Sequence, residues 1–304
     1  MELIKETVMR NRPNLAPQSY ATYASTLKGI YDKTFDDEKY SLANFNKTKK
    51  IIPILESMQL NTKKTILAAL YVLTEKPEYQ KLMLSSIDKI NHENAKQEMN
   101  EKQTDSWVTT EEVKTLLDRY EAEYKRIKKR HVLNETEPTM EELQEMQNYI
   151  ILAILGGVYI VPRRSKDYCD FKVKHFDTYE DNYPTKNSFV FNSFKTAKTY
   201  GQQEVKIPTK LKNIIADWIR YDPTDYLLFD KNSNPLTNVK LNQRLNKIFE
   251  GKKVGVNQLR HTYLSDKYGG DIETINGLHE DMSKMGSSVA QQKVYIKRKK
   301  TAVI

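Results

Sequence analysis

The chain has 304 residues, 29% of them charged, and a net charge of +9, so it is long enough for two domains with separate cores and is suited to an anionic partner. Its single cysteine, Cys169, excludes an internal disulfide and any multi-cysteine zinc site, which fits a reducing compartment. The longest apolar run, 149–161, falls short of the ~18 residues of a membrane span, and the opening MELIKETVMRNRPNL lacks the apolar stretch of a secretion signal, so the expectation is an intracellular protein that is not secreted and meets no membrane.

Residues 1–105 read as helical. A turn at 14–19 leads into Tyr20, Tyr23, Leu27, Ile30 and Tyr31, whose three- and four-residue spacing makes one helix face. A second helix is expected over 48–58, with Pro53 at a kink or in its first turn. Residues 62–65 lead into Ile66, Leu67, Leu70 and Leu73, and Pro77 opens a fourth segment with Tyr79, Leu82, Met83, Ile87 and Ile90. Four short helices with basic residues between them fit a small DNA-clamping module, and equally a helical bundle with a solvated charged face. The stretch 92–105, polar and nearly free of apolar residues, is the expected linker between a domain at 1–105 and one at 106–304.

Beyond it, Thr109 or Thr110 can cap a helix whose early carboxylates face its N-terminal dipole. Residues 118–137 read as a long solvated helix and its loop. Thr139 caps the next helix, which is strongly apolar over 150–161 and is expected to be the buried centre of the second domain. It delivers Arg163 and Arg164 at its end. Arginine is seldom buried without an anionic partner, so the pair marks either an anion site or a solvated surface turn. Three stretches with strand character follow, 168–176, 188–194 and 204–207, the last two joined by a turn that carries Lys195 and Lys198 and ends at Gly201, the expected positive-φ residue. Residues 211–220 form an amphipathic helix, 226–229 a short apolar segment, 241–249 another helix, and 251–255 a basic loop ahead of Asn257, Arg260 and His261. A Met-Gly-Ser-Ser turn at 285–288 precedes Tyr295, the only tyrosine after Tyr268, which sits in a basic tail. An isolated tyrosine downstream of clustered arginines is what phosphoryl transfer without a metal needs, because the phenolate attacks while cationic donors hold the phosphate oxygens.

In this order and spacing the chain resembles the tyrosine recombinase (phage integrase) family over nearly all of its length. That family has a first arginine followed three residues later by an acidic residue, as Arg164 is followed by Asp167. Its lysine sits on the hairpin between the second and third strands, a place held here by Lys195 or Lys198. Lys195 is preferred, because it directly follows the apolar strand and precedes Thr196. The His-x-x-Arg-His box is similar to the segment from Asn257 to His261, so that Arg260 matches and Asn257 replaces the leading histidine. The Leu-Gly-His/Trp box resembles Met285-Gly286-Ser287, with Ser287 where His or Trp is usual, and Tyr295 matches the nucleophile. The Arg-Pro-Asn-Leu opening at 12–15 also looks like the core-binding domain of integrases of large DNA viruses and their satellite elements.

The resemblance implies a mainly α fold with a small antiparallel sheet, in which a helical DNA-clamping domain precedes an α+β catalytic domain. It implies a site-specific recombinase or integrase that cuts and rejoins double-stranded DNA through a 3′-phosphotyrosyl intermediate, as a homotetramer on DNA. No cofactor, metal or small-molecule substrate is implied, and a viral source would place the protein in host cytoplasm or nucleus. The implied catalytic set is Tyr295, Arg164, Arg260, Lys195, Asn257 and Ser287. Two alternatives stand beside it: a type IB topoisomerase-like enzyme using a similar set, and a catalytically weak descendant that binds DNA.

Overall fold

Apolar residues recur at three- and four-residue intervals through most of the chain, and the computed structural model is mainly helical with one small antiparallel sheet. The structure describes residues 2–36 and 39–285; Ser287, Tyr295 and the basic tail at 297–300 lie outside them. By its internal contacts the chain divides into two units, Met1–Met99 and Asn100–Ile304.

The first unit packs α1 (Glu2–Asn11), α2 (Pro17–Thr34), α3 (Thr48–Glu56), α4 (Leu60–Thr74) and α5 (Pro77–Ala95) around one core. Pro17 and Pro77 occupy first turns, where a missing N–H costs nothing, whereas Pro53 lies inside α3 on its exposed side. The sequence reading starts its helices at α2. The added α1 is held by Ile4 and Val8, one turn apart and fully buried, and by Asn11, whose Nδ2 donates to Val72 O at 2.8 Å. Buried Tyr79 donates its hydroxyl to Phe45 O at 2.8 Å and ties α5 to a 3-10 turn at Leu42–Asn46.

The stretch expected as a linker is largely helical. α5 runs to Ala95 and α6 (Glu101–Ser106) begins in a capping box formed by Asn100 and Gln103, so polar composition here reflects exposed helix rather than loop.

In the second unit α7 (Thr110–Asn134) and α8 (Met140–Leu155) both begin in capping boxes, Thr109 with Glu112 and Thr139 with Glu142. Every residue of α8 from Tyr149 onward is buried, which makes it the centre of the core. The helix ends at Leu155 and not at Val161. Gly157 adopts φ +77°, and a Cβ there would meet the Tyr263 ring at 2.8 Å, so the chain turns where only glycine fits. α9 (Ser165–Cys169) follows.

The sheet has the order β1–β2–β3: β1 (Tyr183–Pro184) pairs antiparallel with β2 (Ser188–Phe191), which pairs with β3 (Gln203–Lys206) in a register that sets Phe191 opposite Gln203. Residues 168–176, expected as the first strand, are a helix end and a loop whose β-type pairing among the described residues is limited to the isolated bridges Phe171–Asn182 and Lys172–Tyr226. Their aromatic residues serve the core instead, with the Tyr168 ring edge-on to Phe189 and Phe191. The β2–β3 connection holds a short helix, α10 (Ala197–Tyr200), and closes at Gly201 with φ +65°. α11 (Thr209–Tyr221), α12 (Asn238–Ile248), α13 (Val256–Tyr268) and α14 (Ile272–Lys284) complete the unit. Among the described residues no helix is long and apolar enough to cross a membrane.

Candidate active site

The two adjacent arginines at the start of α9 have different fates. Arg163 turns inward: its Nε donates to Asp167 Oδ2 at 2.9 Å, its Nη1 to Gln203 Oε1 at 2.7 Å, and its guanidinium carbon lies 3.9 Å from the centre of the Phe191 ring. This rules out a solvated turn for Arg163 and makes it the strut between α9 and β3. Arg164, half-buried, makes no side-chain hydrogen bond among the described residues and keeps all five N–H donors.

Asp167 is the floor of the site. It is 2% exposed, its Oδ1 has no hydrogen-bond partner among the described residues, and burial raises its pKa against the opposing pull of Arg163, Arg164 and Arg260. Arg164 and Arg260 thus act electrostatically on one carboxylate although they come from different elements. Arg260 stands at the start of the second turn of α13, half-buried, and its Nη1 donates to Asn257 Oδ1 at 3.3 Å. One turn of helix thus presents Arg260 and the exposed Asn257 side by side.

A run of polar side chains sets these elements in place. Ser165 Oγ donates to Asn238 Oδ1 on α12, Asn242 Nδ2 donates to Asn238 O at 3.0 Å, and Val256 N donates to Asn242 Oδ1 at 3.2 Å. The residue after Arg164 is therefore linked through α12 to the residue before Asn257. From the other end of the unit, Thr262 Oγ1 donates to Val108 O at 2.8 Å and Tyr263 closes over Gly157.

Lys195 and Lys198 lie in the β2–β3 connection, exposed and without a side-chain partner among the described residues. Their connection is anchored by Asn182, 1% exposed, whose Nδ2 donates to Asp167 O at 3.0 Å and to Ser193 O at 2.8 Å. Its Oδ1 accepts from Asn192 N at 2.9 Å and from Ser193 N at 2.8 Å, which uses the hydrogen-bonding capacity of the amide in full. The chain carrying Lys195 thus leaves from a point pinned to the backbone of Asp167.

Of the six residues expected to act, Arg164 and Arg260 both pull electrostatically on Asp167, Asn257 is hydrogen-bonded to Arg260, and Lys195 lies on a connection whose start is anchored to the Asp167 backbone. Ser287 and Tyr295 lie outside the described residues. Met285 ends α14, 57% exposed. His261 is exposed on α13. Sequence reasoning missed Asn182, Asn238 and Asn242, and it left Arg163 unassigned. The helix expected over 241–249 leaves out Asn238, so its i,i+4 relation to Asn242 carries no signal in the sequence. Among the described residues no group of three or more His, Cys, Asp or Glu side chains is arranged to hold a metal ion.

Comparison with solved structures finds distant likenesses. The crystal structure of XerA recombinase superposes with a TM-score of 0.35 at 12% identity, covering 88% of this chain and 84% of that one. No protein-family model matches the chain, and no curated protein sequence matches it.

The arrangement has a clear chemical bias. Three guanidinium groups act on one buried carboxylate, so the site carries net positive charge, and Arg164 has donors to spare. An anion with several oxygens would be favoured there over a cation or a neutral group, because planar guanidinium donors match such oxygens in pairs.

Proposed function

We propose that this chain cuts and rejoins double-stranded DNA through a covalent tyrosine link. The reading is supported by the pull that Arg164 and Arg260, from separate elements, both exert on the buried Asp167 carboxylate, and by Asn257 hydrogen-bonded to Arg260. In this reading the two arginines hold the non-bridging oxygens of one phosphodiester and stabilise the extra negative charge of its five-coordinate transition state. The Tyr295 phenolate oxygen forms a bond to phosphorus as the bond from phosphorus to the 5′-oxygen breaks. Lys195 gives its proton to that leaving oxygen, releasing a 5′-hydroxyl and a 3′-phosphotyrosyl link. Attack by a 5′-hydroxyl reverses the step and reseals the strand. Asn257 and Ser287 add hydrogen bonds to the phosphate but cannot titrate near neutral pH. The first unit supplies a helical DNA-binding module, and strand exchange between two duplexes uses four copies on DNA. Integration of a viral or mobile element is the finer form of the proposal, motivated by the resemblance at Arg12 to Leu15.

A second reading, a DNA-binding descendant with little catalysis, is favoured by Asn257, which stands where a titratable histidine would act. One assay separates the two. Incubation with a nicked duplex whose short end diffuses away should trap a covalent protein–DNA adduct, abolished by Tyr295→Phe and reduced ~100-fold or more by Arg164→Ala or Arg260→Ala. DNA binding without an adduct on any sequence supports the descendant, and relaxation of arbitrary supercoiled plasmid supports a topoisomerase.

A further inference from the structure

The face of α12 turned to α8 carries a second basic feature, on a different element from Arg164 and Arg260. Arg244 is half-buried there, and its Nη1 donates to Gln144 O at 2.8 Å and to Asn148 Oδ1 at 3.4 Å while its Nη2 donates to Gln144 Oε1. All three acceptors are neutral, and no carboxylate pairs with this guanidinium among the described residues. Burial pulls its pKa below the ordinary arginine value. This guanidinium keeps its positive charge with only neutral acceptors around it.

The same guanidinium lines a cavity of about 630 Å³ between α8, the loop at 230–236 and α12. Three of its five N–H donors are used, which leaves the Nε–H and one Nη2–H for a ligand. Lys231 and Lys247 line the cavity without an ion pair among the described residues. Lys240 lines it too but is paired with Asp230, whose other oxygen accepts the backbone N–H of Asn232 at 2.9 Å and of Asn234 at 3.1 Å. The carboxylate nearest the cavity is therefore already engaged. The dipole of α12 accounts for Lys247, which stands in its last turn. It does not account for Arg244, which reaches across to α8, or for Lys231 in the preceding loop.

We propose that this cavity binds a phosphate group, held by the free N–H pair of Arg244 and flanked by Lys231 and Lys247. Two adjacent guanidinium donors match two phosphate oxygens, and the lysines supply charge without fixed geometry. The cavity is larger than one phosphate, so the group belongs to a larger body, either a free polyphosphate or the backbone of DNA. The proposal does not depend on strand transfer at Tyr295.

The test is calorimetric titration of the full chain with inorganic pyrophosphate and, separately, with a short DNA duplex. It compares the native chain with Arg244→Gln and with the double variant Lys231→Gln/Lys247→Gln, whose exposed positions leave the fold intact. If the phosphate is free, pyrophosphate binds one per chain, and both variants weaken it about tenfold or more. If it comes from DNA, pyrophosphate gives no heat, while both variants weaken the duplex and lower the slope of log affinity against log salt by about one. The proposal is overturned if the double variant leaves both ligands unchanged. It is equally overturned if only Arg244→Gln has an effect and that variant also loses thermal stability, since the arginine then serves packing alone.

Discussion

The residue with the clearest consequence for rate is Asn257. It accepts a hydrogen bond from Arg260 and has no proton to exchange, so in the proposed reaction this position cannot act as acid or base. Asn257→His restores such a group at the same helix position. The adduct should then form about ten- to a hundredfold faster, with a new pH dependence near the imidazole value, read as single-turnover rates between pH 5.5 and 8.5. A second residue tests the fold rather than the chemistry. Burial pushes the carboxyl of Asp222 up to about 6, against hydrogen bonds from Thr224 and the charge of Lys174, both of which lower it. A raised pKa means that the folded chain prefers the protonated form. The stabilisation is therefore present below the ordinary carboxylate range and is lost as pH rises through about 6. Asp222→Asn, which is neutral throughout, should gain about 2 kcal/mol on the native chain between pH 4.5 and pH 8 in urea unfolding.

Among the elements, the joint between α9 and the β2–β3 connection matters most, because it ties the start of the connection that carries Lys195 to the Asp167 backbone. Asn182→Ala removes four hydrogen bonds to buried and half-buried backbone groups and should lower stability by roughly 3 kcal/mol in urea unfolding. It should also slow cleavage when Lys195 is present, and have little further effect in a Lys195→Ala background. At the end of α8, Gly157→Ala forces a Cβ into the Tyr263 ring at a positive φ and should cost about 1–3 kcal/mol, measured the same way. These joints also show what the sequence makes legible. Helix starts are readable because their signals are local: Thr109 and Thr139 each carry a glutamate three residues on, and Pro17 and Pro77 open their helices. The end of α8 is harder, since apolar residues continue past Gly156 and Gly157 and outweigh the glycine pair in any reading by hydrophobicity. The strand at 168–176 fails for a related reason. Aromatic residues that look like a strand face are core residues of a helix end, and the true edge partner, Tyr183–Pro184, has only two residues.

At the scale of the whole molecule, the site residues lie far apart in sequence, and their order and spacing point to them because each carries its own local motif. The contacts that assemble them carry none. Asn182, Asn238 and Asn242 work through backbone atoms and other amides, chemistry that many surface asparagines could supply. Their role becomes visible only when the elements are in place. The net charge of +9 predicts binding dominated by phosphate contacts, so affinity for duplex DNA should fall steeply between 50 and 200 mM salt, by ~1,000-fold or more if six phosphates are contacted. Fluorescence anisotropy with a labelled duplex reads this directly. The central claim is that the chain forms a covalent link to DNA through one tyrosine, and mass spectrometry of the trapped adduct after protease and nuclease digestion tests it most directly. A nucleotide remnant on the peptide containing Tyr295 is the result predicted. A remnant on any other residue, or recovery of only unmodified Tyr295 peptide from chain that has demonstrably bound DNA, would contradict it.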